Sequence, residues 1–407
     1  MNHPIAEIFS QGEEVISGQV ADTNAAWLSQ NLVDMGFVIG RHTAVGDQLQ
    51  DLITLLNEIS QRADICICTG GLGPTIDDLT AEAVAQAFNC PLQLDPVALA
   101  QIEAHFVRRK RTMADTNRKQ AFFPQGSTRI DNAWGTAPGF ALKHDRCWFV
   151  FLPGVPTEMK NMFNAYIKEA LVQRFVLQAD KLISIKSVGI GESDLQQKLN
   201  AVALPDQVQL SFRATSDDVQ TKLLFPAETH DADIQMYIDQ VLDQMGEAVF
   251  AVDEPNQPAS DLVSVISELM KASNSTLSVL ETVTQGLIAA KCIGYDWLLD
   301  SIYKQSIASL MTELAIAPED DLAEMAIAIS YKLQQTQNSD LILIQLYQGD
   351  KNQFQDKAQS IVLYNALLTP HGIYQNTIAV GGSIQRKQNQ AAIRALDLLR
   401  RYLQQCH

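Results

Sequence analysis

The stretch "ADICICTGGLGPTIDDLTAEAVAQAFN", residues 63–89, constrains the fold more than any other. Its apolar run shows little polar alternation, as expected of a strand buried on both faces. The run ends in three glycines, a proline and two adjacent aspartates, and the chain then resumes as helix. A strand covered on both faces needs a helical layer on each side, so the chain reads as α/β with a parallel sheet and right-handed crossovers. The upstream segments agree. "IAEIFSQG" and "FVIGRHTAV" read as strands, "DTNAAWLSQNLVDMG" as a helix capped by Asp22 or Thr23 and stopped by Gly36, and "QLQDLITLLNEISQR" as an amphipathic helix.

A chain of 407 residues exceeds what one hydrophobic core organises, so several domains are expected. "CWFVFLPGVPTEMKNMF" reads as strand, turn and helix, closing an α/β domain over 1–170. A small α+β domain follows over 171–252, and "AVDEPNQPAS" reads as a linker. A third α/β domain, 261–407, holds a strand at "STLSVL" and a long helix at "NQAAIRALDLLRRYLQQ".

Against 47 Asp and Glu the chain has only 30 Lys and Arg, a formal charge of −17 that opposes attraction to phosphate backbones and anionic lipid. No apolar run reaches the roughly 18 residues that span a bilayer, and no basic, then apolar, leader opens the chain. The expectation is a cytoplasmic protein whose partners are neither nucleic acid nor membrane. Six cysteines without a CxxC pair read as reduced thiols. Cys66 and Cys68, flanked by Ile65 and Ile67, read as buried strand residues rather than a metal pair. None of the seven histidines forms a metal-spaced pair.

Ligands of open parallel sheets sit beyond the carboxyl ends of the strands, where "TGGLGPTIDDLT" falls. Gly70, Gly71 and Gly73 let backbone amides approach a ligand, and the helix that follows offers its positive end to an anion. Asp77 and Asp78 either cap that helix or hold a divalent metal bridging phosphate oxygens. Equally, the pattern fits an ordinary strand-to-helix turn. Three further stretches would converge on the same rim of a doubly wound sheet. These are "GQVADTN" with Asp22 and Asn24, "NAWGTAPGF" with Gly135, Thr136, Ala137, Pro138 and Gly139, and "LPGVPTEM" with Glu158. The densest basic run, "RRKRTMADTNRKQ", reads as a solvated helix face, or as the source of Arg118 or Lys119 for an anionic ligand.

Taken in order, "GEEVISGQVADTN", "VGD" at 45–47, "TGGLGPTIDDLT", "NRKQAFFP", "GTAPGF", "LPGVPTEM" and "GIGES" at 189–193 resemble the CinA family. Its amino-terminal domain is similar to the molybdopterin-binding fold of MogA and MoeA. The resemblance spans about residues 5–200. It implies a MoCF-like three-layer α/β/α domain, a homodimer, and hydrolysis of the diphosphate of ADP-ribose to AMP and ribose 5-phosphate. A divalent metal (magnesium, cobalt or nickel) and potassium would assist. On this reading Asp77 and Asp78, with Asp22 as a further candidate, hold the ion, and the amides of Gly70, Gly71 and Gly73 take developing charge. Glu158 orients water or a ribose hydroxyl. Asn24, Thr75 and Thr136 give neutral hydrogen bonds, while Lys119, Gly135 and Gly139 complete the substrate contacts.

Full-length CinA proteins also carry a carboxy-terminal nicotinamide mononucleotide deamidase marked by AESCTGG, whose serine is the nucleophile. The corresponding stretch here is "LETVTQG", 280–286, with Thr282 in place of the serine and Gln285 in place of a glycine. Threonine keeps a hydroxyl, but its methyl crowds the attack path. The family's YSN-type and GIAGPGG-like stretches have no convincing counterpart, so the third domain is expected to keep the fold without the deamidase. The alternative to an enzyme is a protein that captures a pterin or nucleotide without turnover, with the third domain as scaffold or dimer contact.

Overall fold

In the computed structural model of the protein the described residues are 3–405, apart from 256, 306, 318–320, 348 and 350. Cys406 and His407, counted above among the thiols and histidines, lie outside them. The chain divides into two compact units, Met1–Asp180 and Lys181–His407.

The strands of the first unit are β1 (Ile5–Gln11), β2 (Val38–Val45), β3 (Ile65–Thr69), β4 (Leu92–Leu94), β5 (Phe122–Pro124), β6 (Thr128–Ile130), β7 (Gly139–His144) and β8 (Cys147–Leu152). All but the small β4–β5 pair form one six-stranded sheet in the order β2-β1-β3-β8-β7-β6. β3 is buried at every position and lies between β1 and β8, parallel to both. Its side chains divide by parity. Ile65 and Ile67 pack with Leu28, Leu32 and Met162 under the helices Thr23–Asp34 and Pro156–Met162. Cys66 and Cys68 face the other layer, with Leu56, Val84 and Ile102 from Leu49–Arg62, Thr80–Ala87 and Pro96–Arg108. The result is the three-layer α/β/α arrangement. Burial, with Cys66 alongside, raises the Cys68 thiol far above its ordinary pKa, so both cysteines act as small core residues.

The sheet is parallel only over β2, β1, β3 and β8. β7 and β8 are joined by the two residues Asp145 and Arg146, too few for a crossover, with Asp145 at φ 50. That hairpin turns the β7–β6 edge antiparallel, a departure from the all-parallel expectation.

In the second unit β9 (Lys181–Ser187), β10 (Gln209–Ala214), β11 (Val219–Phe225) and β12 (Val249–Asp253) form an antiparallel sheet in the order β10-β11-β9-β12. It is covered by the helices Glu192–Leu199 and Asp231–Met245. β13 (Leu277–Glu281), β14 (Leu298–Tyr303), β15 (Leu341–Leu346), β16 (Ile361–Thr369) and β17 (Gly372–Val380) form a mixed sheet in the order β14-β13-β15-β16-β17. The helices Leu262–Ala272 and Ile384–Gln405 cover one face, and Leu322–Gln334 lies on the other.

Arg400 ties the two sheets of this unit together. Its guanidinium, 1% exposed, pairs with Asp397 one helical turn back and donates to the carbonyls of Val249 at 2.9 Å and Glu247 at 2.8 Å. No described helix is long and apolar enough to cross a membrane.

Removing Arg400 would leave Asp397 Oδ1 and the two carbonyls without their donor, with only Asp397 Oδ2 still held by Arg401. Arg400→Ala is therefore expected to cost about 3–5 kcal/mol in urea unfolding, against about 1 kcal/mol or less for Arg401→Ala, whose partners include the exposed Glu247. Equal losses would show that Arg400 is not the tie.

Candidate functional site

The carboxyl ends of β1, β3 and β8 open onto a cleft of ≈490 Å³ at one rim of the first unit's sheet. The turn after β3 is set by crowding from β1. Gly70 (φ +99) and Gly71 (φ +66) would place a Cβ 2.3 Å from the Gln11 carbonyl oxygen and 2.1 Å from Gln11 Oε1. Gly70 spends its amide on the Leu152 carbonyl at 3.0 Å, whereas the amides of Gly71 and Gly73 make no bond to a backbone carbonyl. Gln11, 5% exposed, joins three loops: its Nε2 donates to Asp47 Oδ1 at 2.8 Å and to the Asp77 carbonyl at 3.3 Å, and its Oε1 accepts from the Thr80 hydroxyl.

The two adjacent aspartates have separate tasks. Asp78 Oδ2 accepts the Thr75 amide at 2.8 Å and the Thr75 hydroxyl, closing the turn on itself. Asp77 is exposed, and its carboxyl lies below the ordinary value. Hydrogen bonding from Thr75 contributes most to that shift, then the Asp77 backbone amide, with the Lys119 charge adding. Lys119 Nζ donates to the Thr75 carbonyl at 2.8 Å, so it braces the loop from outside. The run "DTNRKQA" is a 3₁₀ turn, Asp115–Ala121, rather than a regular helix face. From it the buried Gln120 reaches the Leu72 carbonyl at 3.3 Å, while Arg118 points to solvent.

Across the cleft, Glu158 stands in the first turn of Pro156–Met162 and accepts Asn132 Nδ2 at 2.7 Å. A Cβ at Gly135 would fall 1.9 Å from Glu158 Oε2, so a side chain there would evict the carboxylate. Asn132 Oδ1 in turn accepts the amides of Trp134 at 3.0 Å and Gly135 at 2.9 Å.

The expected residues thus divide. Gly70, Gly71, Gly73, Asp77, Asp78, Thr136 and Glu158 bound the cleft. Thr75, Lys119 and Gly135 support it from behind. Asn24, mostly buried, donates to the carbonyl of Gly154, itself on the cleft, at 2.8 Å, while its Oδ1 has no partner. Asp22 does not reach the cleft wall: its carboxylate caps Thr23–Asp34 by accepting the Ala25 amide at 2.9 Å. Gly139 lies inside the sheet opposite Ile130, where a Cβ would come 2.4 Å from the Phe151 carbonyl.

Gln11, Glu14, Asp47 and Gln120 also bound the cleft and were not singled out from sequence. Asp47 ends the "VGD" stretch and Glu14 stands in "GEEV", so both lay within matching segments. Gln11 and Gln120 left no titratable signature to find. The cleft is bounded by the carboxylates of Glu14, Asp47, Asp77, Asp78 and Glu158 and by no described lysine or arginine. Among the described residues no group of three or more His, Cys, Asp or Glu is placed to cage a metal ion. A second hollow of ≈390 Å³, bounded by Arg108, Asn132 and Tyr166, shares Thr136 with the first.

The family described as "Probable molybdopterin binding domain" matches residues 7–173. A CinA-like protein of Shewanella piezotolerans is 33% identical over 412 residues, covering 98% of this chain and 95% of its own. One from Escherichia coli O9:H4 is 34% identical over 401 residues, covering 98% and 94%. Among solved structures, the protein CinA of Thermoplasma acidophilum aligns at 30% identity over 42% of this chain and 100% of its own, with a TM-score of 0.39. MoaB of Thermus thermophilus aligns at 19% identity over 40% and 90%, with a TM-score of 0.28. With identity of this order running through almost the whole length of both partners, the chain belongs to the CinA-like protein family and carries a molybdopterin-binding-like domain in its first unit.

Proposed function

We propose that the first unit hydrolyses the diphosphate of ADP-ribose to AMP and ribose 5-phosphate. The observation that carries this reading is the composition of the cleft: glycine amides without backbone acceptors beside five carboxylates and no cation. A diphosphate would be repelled from such a wall unless positive charge entered with it. The donors are all hard oxygens and too few to cage an ion alone, which suits a cation that completes its shell with substrate phosphates and water. Asp77 and the free oxygen of Asp78 would hold a divalent ion (magnesium, cobalt or nickel) that, with potassium, supplies the charge neutralisation the phosphates need.

The chain's own groups do the remaining work. The amides of Gly71 and Gly73 receive phosphate oxygens as charge builds on them. Glu158, fixed by Asn132, orients the attacking water or a ribose hydroxyl. Thr136 stands between the two hollows, so a two-part substrate can lay its diphosphate in one and reach with its other half toward Arg108 and Tyr166. Lys119 positions the loop through the Thr75 carbonyl and does not touch substrate. The protein acts as a cytoplasmic homodimer on small molecules, with neither nucleic acid nor membrane as partner.

A second reading, capture of a pterin or nucleotide without turnover, is favoured by the family description "Probable molybdopterin binding domain". Calorimetry that finds tight binding of ADP-ribose with no product would establish it.

The second unit is not a deamidase on this reading. The Thr282 hydroxyl, in a residue only 6% exposed, donates to the Gln345 carbonyl at 3.1 Å and has no base as partner among the described residues. Gln285 takes φ +55, the left-handed conformation a glycine adopts freely. Glu281 is fully buried and occupied by the Thr284 hydroxyl, the Ile288 and Ala289 amides and the Ser301 hydroxyl.

With magnesium, cobalt or nickel plus potassium, purified protein should release AMP from ADP-ribose. Asp77→Asn should lower kcat/KM by about 10²–10³-fold with the circular dichroism spectrum unchanged. No AMP with any of the three metals overturns the reading. Nicotinamide mononucleotide should yield no ammonia from the wild type or from Thr282→Ser. Ammonia from the wild type would show that the threonine hydroxyl is activated after all.

A further inference from the structure

The second unit holds a charged hollow that none of the roles above uses. The β10–β11 turn, the loop after β9 and the start of the helix Ile384–Gln405 enclose a cavity of ≈570 Å³. Arg386, Gln390 and Arg394 follow one another at four-residue spacing on that helix and all bound the cavity. Among the described residues, neither guanidinium has a carboxylate within ion-pairing distance.

Three carboxylates, Glu192, Asp217 and Asp218, also bound the cavity, and each already has a partner within the chain. Asp397, one turn beyond Arg394, is bound to Arg400 and Arg401. Asp217 pairs with Lys291 at 2.9 Å and accepts Asn389 at 2.8 Å. Asp218 accepts the Thr215 hydroxyl at 2.7 Å, and Glu192 accepts the Ala214 amide at 2.7 Å.

Arg394 is also partly desolvated. Burial, with Arg401 adding, pulls its guanidinium below its ordinary pKa, and Asp397 only partly offsets this. It lies so close to Gly189 (φ +82) that a Cβ there would be 1.4 Å from Arg394 Nη1. The helix Glu192–Leu199 turns into the same hollow at Gly191, which bounds the cavity, and has no side-chain cap. Two guanidinium forks, neither within ion-pairing distance of a described carboxylate, therefore share one cavity with the hydrogen-bonded carboxylates of Glu192, Asp217 and Asp218.

We propose that this cavity binds the phosphate group of a small phosphorylated metabolite, with Arg386 and Arg394 as its ligands. A phosphate suits two planar forks better than a carboxylate does, because it offers more acceptor oxygens to bidentate contact. The volume matches that of a nucleotide-sized ligand. The overall negative charge disfavours a nucleic-acid backbone in the same place. The site is independent of the first unit's chemistry.

The test is titration calorimetry of the full-length protein with inorganic phosphate at constant ionic strength. The wild type should show a phosphate site that Arg386→Gln and Arg394→Gln each weaken roughly tenfold or more. Arg394→Lys, which keeps the charge and loses the fork, should fall between. Arg386 is exposed, so its variant reports even if Arg394→Gln fails to fold. AMP release from ADP-ribose should be the same in the Arg386→Gln variant as in the wild type. Identical phosphate isotherms for wild type and Arg386→Gln overturn the proposal. So does binding of a single-stranded oligonucleotide with no phosphate site, which would make the hollow part of a nucleic-acid groove.

Discussion

Burial of β3 on both faces is the constraint on which the first unit depends. Each of its aliphatic side chains contributes about 1.5–3 kcal/mol only if a helical layer covers it, and Ile65 and Ile67 face one layer while Cys66 and Cys68 face the other. Strands parallel to β3 need crossovers that cover both faces, and crossovers of one hand bring the carboxyl ends of β1, β3 and β8 to a common rim. The cleft follows from that placement. The strand whose one hydroxyl, that of Thr69, is satisfied by Ser10 delivers its polar loop to the rim where the cleft opens.

Within that loop, shape and chemistry are divided between residues that look alike. Gly70 and Gly71 are required by the nearness of Gln11, whatever the cleft binds. Asp78 closes the turn through Thr75, and this leaves Asp77 outward and ionised, with Lys119 braced behind. The structural reading of the glycine-aspartate loop thus accounts for Asp78 and the two glycines, and it leaves the Asp77 carboxylate exposed at the cleft. Glu158 repeats the pattern on the far wall, where Asn132 holds the carboxylate and the missing side chain of Gly135 makes room for it.

Much of the architecture was legible because its signals are local. The apolar run of β3, the Asp22 cap and the stop at Gly36 each act within a few residues, and each appears as read. The antiparallel edge was missed because a two-residue link at Asp145 and Arg146 lacks the Asn-Gly or Asp-Gly signature of a hairpin. Site membership was harder. Convergence of four loops could be argued from topology, but which atom faces the cleft is decided by tertiary partners. Asp22 and Asp77 look equivalent in sequence, yet one carboxylate is spent on an amide three residues on and the other is not. Gly139 was grouped with its loop although the first residue of β7 is already inside the sheet. Gln11 and Gln120 carry no charge to draw notice, and their role at the cleft rests on contacts 36 to 69 residues away in the first case and 48 in the second.

Buried charge in the second unit obeys one rule, and its exception is informative. Lys387, fully buried, gives its ammonium to the carbonyls of Gln353, Phe354 and Asp356 at 3.0, 3.1 and 2.7 Å. Glu281 is met by amides and hydroxyls, and Arg400 by a carboxylate and two carbonyls. Desolvating such groups is costly unless each proton or lone pair finds a partner, and here each does. Arg394 lies on the same helix as Lys387 and Arg400, with the same option of turning to a carbonyl or to Asp397, and takes neither. Arg394 is half-buried rather than fully buried, so its guanidinium keeps a face open to the cavity while its neighbours on the helix are satisfied from within the chain.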